Sequence, residues 1–234
     1  MSAFQKSLPA FAAALLLAGL GCHSPQAPAP GELALDSCEA ITNAFRGFHR
    51  PDFPTGFWTC DDGGVLRSIK DKRNDLITRE KFKDFDISLD YKVGPNGNSG
   101  IFIGVTEASS ETYWSGPEMQ INDDDLNPDG KTPNTSSGAL YGLLPPNSSK
   151  RLNPAGQYNH AEVISRNGHV EYWLNGVKIL EYDWNSPALR ELIRHSKFKD
   201  APWFMSDRNG YIALQSEGDE VTFRNIRIRR LNSE

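Results

Sequence analysis

The stretch Ala161–Tyr182, AEVISRNGHVEYWLNGVKILEY, decides the fold. Two Asn-Gly pairs, Asn167-Gly168 and Asn175-Gly176, divide it into three short runs. Asn-Gly readily takes positive φ at both central positions of a type I′ turn, whose twist suits a two-residue hairpin. The reading is therefore a three-strand antiparallel meander. The same grammar extends outward. Phe85, Ile87, Leu89, Tyr91 and Val93 alternate with Asp86, Ser88, Asp90 and Lys92, the mark of a half-buried strand, and Ile101, Ile103 and Val105 repeat it. Further strands are expected near Gly64–Ile69, Asp75–Arg79, Ser137–Gly142, Tyr211–Ser216 and Glu220–Arg229. One helix stands out at residues 187–196. Ser186 caps it, Pro187 opens it, and Leu189, Leu192 and Ile193 form one apolar stripe. Many short strands with one short helix predict an all-β, two-sheet antiparallel jelly-roll sandwich.

The chain has 234 residues, 38% of them hydrophobic, which suits one all-β domain, placed at residues 36–234. Its net charge is -5, and its basic residues form no broad face beyond Arg224, Arg227, Arg229 and Arg230. Binding to nucleic acid needs a wide electropositive surface to replace counterions, so that class is set aside.

The first residues read as an export signal. Lys6 supplies positive charge, and the apolar run Phe11–Leu20 is about half the length of a spanning helix. It leads into Gly19-Leu20-Gly21-Cys22, which resembles a lipoprotein cleavage box, although leucine is more usual where Gly19 stands. Residues 1–22 are thus expected to be a lipoprotein-type signal ending at a lipidated Cys22, with an ordinary signal peptide as the alternative. Residues 23–35, beginning HSPQAPAPG, read as a Pro/Ala-rich tether. The expected location is the bacterial cell envelope, periplasm or outer membrane, with membrane contact through the lipid only. Cys38 and Cys60 remain. An even pair in an exported chain suggests a disulfide, and two buried free thiols are the alternative.

The segment Ser115–Asp123, SGPEMQIND, puts Glu118, Gln120 and Asn122 on one face of a strand and Met119 and Ile121 on the other. A solvated outer face is the ordinary meaning of such alternation. Amides beside a carboxylate also suit sugar hydroxyls, which donate and accept at once, and Tyr113 and Trp114 stand close by to stack on a pyranose. Retaining glycanases of the laminarinase type carry a pair of carboxylates on such a strand. Here the places after Glu118 hold the amides Gln120 and Asn122, and an amide is no nucleophile. There is no GxSxG elbow and no HExxH helix. The acidic loop 123–129 has oxygen donors at alternate places, like a calcium loop. Pro128 stands where such a loop needs its glycine, and Asn134 where it needs its bidentate Glu. No cofactor is required by this reading, and a calcium-like divalent ion in the loop is the minor alternative.

Six short motifs occur in order: Asn98-Ser99-Gly100-Ile101-Phe102, Gly116–Ile121 (GPEMQI), Gly138-Ala139-Leu140-Tyr141, Trp173-Leu174-Asn175-Gly176-Val177, Ser196-Lys197-Phe198-Lys199 and Phe223-Arg224-Asn225-Ile226. Together they resemble the 3-keto-disaccharide hydrolase family, from about Gly56 to Leu231. The resemblance implies a concanavalin-like jelly roll and action on glycosides oxidised at C3. It departs from that family at Leu214-Gln215-Ser216-Glu217-Gly218-Asp219, where members often read L-Q-D-H-G-D. On this reading Glu118 is the base or positions the water that is, Gln120 and Gln215 hold sugar oxygens, and Glu217 protonates the leaving group. Asn98, Asn122, Tyr141, His160 and Trp173 are candidate groove contacts, with core positions for Tyr141 and Trp173 and a strand end for His160 as the alternatives. A carbohydrate-binding module without catalysis and a laminarinase-type glycanase are the competing readings.

Overall fold

The computed structural model describes residues 31–232. The expectations for the signal, for Cys22 and for the tether up to residue 30 lie outside the described residues. The elements in chain order are β1 (Glu32–Leu35), α1 (Cys38–Ala44), β2 (Phe45–Gly47), β3 (Trp58–Asp61), β4 (Val65–Ser68), β5 (Leu76–Thr78), β6 (Phe85–Val93), β7 (Asn98–Val105), β8 (Glu118–Asn122), β9 (Asn159–Arg166), β10 (His169–Leu174), β11 (Val177–Asp183), α2 (Pro187–Arg194), β12 (Tyr211–Leu214) and β13 (Val221–Arg230). The strands form two antiparallel sheets. One has the order β11-β10-β9-β6-β13-β4-β3, with β1 also on β13, and the other has the order β2-β5-β12-β7-β8. This is the expected jelly-roll sandwich.

The meander forms as read. Asn167, Gly168, Asn175 and Gly176 all have positive φ, and β9, β10 and β11 pair in sequence. Strand β6 alternates buried and half-buried residues along its whole length. Its inner residues meet Ile101, Ile103, Met119 and Ile121 of the other sheet in the main core. Burying such side chains is worth about 1.5–3 kcal/mol each and drives the two sheets together.

Four expectations are corrected. The tether does not extend through residue 35: Glu32–Leu35 already pair with Arg229–Ile226 of β13, and Leu35 is buried. Four residues with a partner almost two hundred positions away carry no local signal. A second helix, α1, is present, capped by Ser37, whose hydroxyl accepts from Ala40 N. At seven residues it is too short to show a period. In α2, Ser186 does cap Leu189 N, and Leu189 is buried, but Leu192 faces solvent. Residues 137–142 are not a regular strand. Gly138 at φ +80° bends them, yet their backbone still closes the free edge of β8 through Gln120 N to Ala139 O, Gly138 N to Gln120 O and Tyr141 N to Glu118 O. Cys38 and Cys60 form a disulfide with a Cα–Cα distance of 5.6 Å, tying α1 to β3. Among the described residues no helix is long and apolar enough to cross a membrane.

Candidate active site

The outer face of β7 and β8 is not solvated. All five residues of β8 are buried, because loops from distant parts of the chain lie over it. The register sets Asn98 opposite Asn122, Gly100 opposite Gln120, and Phe102 opposite Glu118. Gly100 leaves room for the Glu118 carboxylate where it stands: a Cβ on it would lie 2.2 Å from Glu118 Oε1. Gln120 is oriented by its neighbours, its amide nitrogen donating to Ser99 O at 3.0 Å and to Glu118 Oε1 at 2.9 Å.

Above this floor is a cavity of about 430 Å³, lined by Arg73, Asn98, Tyr113, Trp114, Glu118, Gln120, Asp129, Tyr141, Lys197, Gln215 and Glu217. Glu118 and Glu217 therefore face the same cleft. Glu217 comes from the loop after β12, where Gln215 Nε2 donates to its Oε1 at 2.7 Å and Arg73 pairs with its Oε2 at 3.1 Å. Tyr141 is carried by the segment that seals β8, and its hydroxyl donates to Asp129 Oδ2 at 3.1 Å.

Lys197 is the main residue that sequence reasoning missed as a site group. It follows α2 on a loop whose Phe198 and Phe204 stack at 3.9 Å, with Trp114 edge-on to Phe198. Ser196 Oγ accepts from Phe198 N at 3.1 Å and fixes the turn. The Lys197 ammonium lies over the Tyr141 ring, 4.2 Å from its centre. The available signal was the SKFK motif, which carried the family resemblance but no chemistry of its own.

The electrostatics are those of a buried carboxyl and a desolvated ammonium that act on each other across the cleft. Burial pushes the Glu118 carboxyl well above the usual carboxylate range; Lys197 pulls it back, while Glu217, Asp75 and Asp129 push it further up. Burial lowers Lys197, and the carboxylates of Glu118, Asp129 and Glu217 oppose that. Perturbed groups of opposite sign facing one cleft are the usual physical signature of proton-transfer machinery.

The structure brings Glu118, Gln120, Glu217, Asn98, Tyr141 and Gln215 together in the cleft. It does not bring the other three. Asn122 turns its amide to Thr135 O and lines a neighbouring cavity with Asp123 and Asn153. His160 stands on the outer face of the other sheet, 2.9 Å from Asp90 Oδ1, with its backbone N–H donating to Asn175. Trp173 is on that sheet too and donates to Glu171. Both occupy the outward phase of β9 and β10, and alternation cannot tell which sheet a polar face belongs to. In loop 123–129 the carboxylates serve as local caps and pairs: Asp123 accepts from Asn96 N and Asp125 N, while Asp124 accepts from Ser137 N and pairs with Lys150.

A jelly-roll sandwich with a cleft of amides, aromatics and the three carboxyl groups of Glu118, Asp129 and Glu217 suits a carbohydrate-active class of protein. The comparisons resolve that class. The model of the 3-keto-alpha-glucoside-1,2-lyase-like domain matches residues 41–229, so the match begins ahead of Gly56 and takes in part of α1. A 3-keto-disaccharide hydrolase of Bacteroides thetaiotaomicron is 32% identical, covering 81% of this chain and 75% of that protein. A provisionally named glycosyl hydrolase of Parabacteroides distasonis superposes with a TM-score of 0.74 at 28% identity, covering 81% of this chain and 89% of that one. A carbohydrate-binding module of Bacillus subtilis, at 10% identity and a TM-score of 0.50 over 80% and 96% of the two chains, shares the fold alone. The chain belongs to the 3-keto-alpha-glucoside-1,2-lyase-like family, and it is a glycoside-hydrolase-like enzyme.

Proposed function

We propose that the protein cleaves the glycosidic bond of 3-keto-glycosides, 3-keto-disaccharides included, by elimination followed by hydration. The observation that carries this reading is the cleft floor. One buried carboxyl, Glu118, is held by Gln120 and faces Lys197, with Glu217 across the same cavity. A double-displacement glycanase would place a second carboxylate on β8, where this chain has amides.

A ketone at C3 acidifies the C2 proton. Glu118 removes that proton, and the electron pair moves through C2–C3 onto the carbonyl oxygen to form an enolate. Lys197 supplies positive charge for that oxygen in a desolvated setting, where such charge counts most. The C3 carbonyl then re-forms, a C1=C2 double bond appears, and the C1–O bond breaks as Glu217 protonates the leaving oxygen. Water adds its hydroxyl to C1 and returns a proton to Glu217. Glu118 gives its proton back to C2, and the net change is hydrolysis. A carboxylate whose proton affinity burial has raised is a better base toward carbon near neutral pH. The activity therefore rises with pH on a limb displaced upward from the ordinary carboxylate range.

The test is purified protein with a 3-keto-disaccharide in D₂O, followed by NMR. Cleavage with deuterium at C2 of the product is expected, falling about 10²–10⁴-fold in Glu118→Gln. Undiminished cleavage in that variant sinks the mechanism. Cleavage of the unoxidised disaccharide favours a conventional glycanase using Glu118 and Glu217, and binding without turnover favours a lectin-like module. We also propose an envelope location with a lipid anchor at Cys22; the export-type leader and the Cys38–Cys60 bridge support it.

A further inference from the structure

Asp75 stands outside the catalytic cleft, yet it bonds to two of the segments that build it. It directly precedes β5, is half-buried, and does not line the cleft. Its Oδ1 accepts from Ser216 N at 2.9 Å, and its Oδ2 accepts from the Thr112 hydroxyl. Ser216 lies between Gln215 and Glu217, both of which line the cleft. Thr112 opens the 3₁₀ turn Thr112–Trp114, whose other members, Tyr113 and Trp114, line it as well. One carboxylate thus supports the segments of four cleft residues while lying outside the cavity itself.

Glu217 needs such support. Residues 215–217 follow β12 without regular secondary structure, so their backbone groups find partners outside any ladder. Gln215 N donates to Gly100 O at 3.0 Å and ties the start of the loop to β7. Beyond it, the loop is fastened to the segment 71–75. Ser216 N donates to Asp75, Ser216 Oγ donates to Lys72 O at 2.8 Å, and Asp71 N donates to Gly218 O at 2.8 Å. An ionised acceptor makes the bond to Asp75 about twice as strong as a neutral one. Arg73 also pairs with Glu217, but its side chain is 72% exposed, and a pair open to water holds little. Asp75 is itself fixed: its backbone carbonyl accepts from Phe48 N at 2.8 Å, and it leads into the five-stranded sheet. The charges of Glu217 and Asp75 repel each other, so what links the two residues is the Ser216 N–H between them.

We propose that Asp75 is a positioning residue for the leaving-group step, holding Ser216 N so that the Glu217 carboxyl reaches the departing oxygen. The proposal rests on the reading of Glu217 as the acid of that step. Asp75 acts on the acid through the backbone. Its charge also pushes Glu118 upward, an influence common to every substrate. Loss of the positioning bond, by contrast, is felt only where the leaving group needs a proton. A displacement of about 1 Å in a reacting group costs on the order of 10²-fold.

The experiment measures kcat/KM on two substrates, a 3-keto-disaccharide and 4-nitrophenyl 3-keto-glucoside. A sugar alkoxide leaves only with a proton, whereas nitrophenolate leaves without one. Glu217→Gln should lower the disaccharide rate by about 10²–10⁴-fold and leave the nitrophenyl substrate within about threefold of wild type. Asp75→Ala should lower the disaccharide rate by about 10²-fold, with the same small effect on the nitrophenyl substrate, whose turnover also reports that the variant folds. In Asp75→Ala/Glu217→Gln the disaccharide rate should match that of Glu217→Gln to within about threefold, because a residue that acts through another adds nothing once that other is gone. A merely structural role lowers both substrates alike. No loss in Asp75→Ala, equal losses on the two substrates, or additive losses in the double variant therefore overturn the proposal. Should Asp75→Ala fail to fold, Asp75→Asn decides in its place: a loss confined to the disaccharide supports the proposal, and rates undiminished or lowered alike overturn it. If the wild type cleaves neither substrate, or Glu217→Gln shows no selective loss, the reading of Glu217 as the acid fails. Crystal structures of the wild type and the Asp75 variant then decide the positioning. A Glu217 carboxyl displaced by about 1 Å with β12 unmoved supports it, and one left in place overturns it.

Discussion

Gly100→Ala separates the position of the catalytic carboxylate from the stability of the fold. The new Cβ would stand 2.2 Å from Glu118 Oε1 and 2.9 Å from Glu118 Cδ. A carbon and an oxygen need about 3 Å or more, so the carboxylate must move by roughly 1 Å. The backbone has no objection. Gly100 does not sit at positive φ, and alanine in a strand interior avoids the cost of about 0.5–1 kcal/mol that glycine carries. The obstructing atoms, Oε1, Cδ and Cγ, all belong to the Glu118 side chain and none to the backbone, so that side chain moves as a whole at the expense of the Gln120 hydrogen bond. A misplacement of about 1 Å in a reacting group costs on the order of 10²-fold, or about 2.7 kcal/mol of barrier. The expected outcome is kcat/KM on a 3-keto-disaccharide lowered about a hundredfold, with a melting temperature within a few degrees of wild type. A folded Gly100→Ala with kcat/KM within about twofold of wild type would refute the assignment of Glu118 as a base that needs its observed position. A loss of activity accompanied by a large drop in melting temperature would instead locate the damage in packing.

Three further predictions concern stability and the cleft. The bridge Cys38–Cys60 closes a loop of sequence separation 22, and its removal in Cys38→Ser/Cys60→Ser should cost about 3 kcal/mol in urea unfolding; dithiothreitol should destabilise the wild type and leave the double variant unchanged. Asp75 is pushed up to about 6, chiefly by burial, while Thr112 and the Ser216 N–H pull it down. Its folded form holds the proton more tightly than the unfolded chain does, so its contribution is present below about pH 4 and is lost as pH rises through about 6. Asp75→Asn should therefore make the fall in urea midpoint across this window shallower, and an unchanged slope would contradict the assignment. Lys197→Met removes the cation that opposes the burial of Glu118, so the ascending limb of the pH–rate profile should move to higher pH as kcat falls. A limb that stays in place would mean that Lys197 does not act on Glu118.

Much of the fold was legible because period-two alternation and Asn-Gly turns are local. The meander at 161–182 and strand β6 needed only neighbouring residues to declare themselves. Elements with distant partners were not legible. Strand β1 is defined by β13, and the bend at Gly138 leaves a strand-like sequence as a backbone seal on β8. The same division runs through the site. Glu118 and Gln120 were visible as a polar face opposite Met119 and Ile121, whereas Asn122, His160 and Trp173 share that outward phase yet face elsewhere.

The sequence by itself determined that the chain is an antiparallel sandwich, and that one strand presents a single acid among amides where a glycanase would have paired acids. Only the tertiary structure decided that this face is buried under loops, that Glu217 shares its cleft, and that Lys197 enters it. The reason is physical. Alternation reports which way a side chain points from its own strand, but the dielectric and charge it meets there come from segments that fold over it from a hundred residues away.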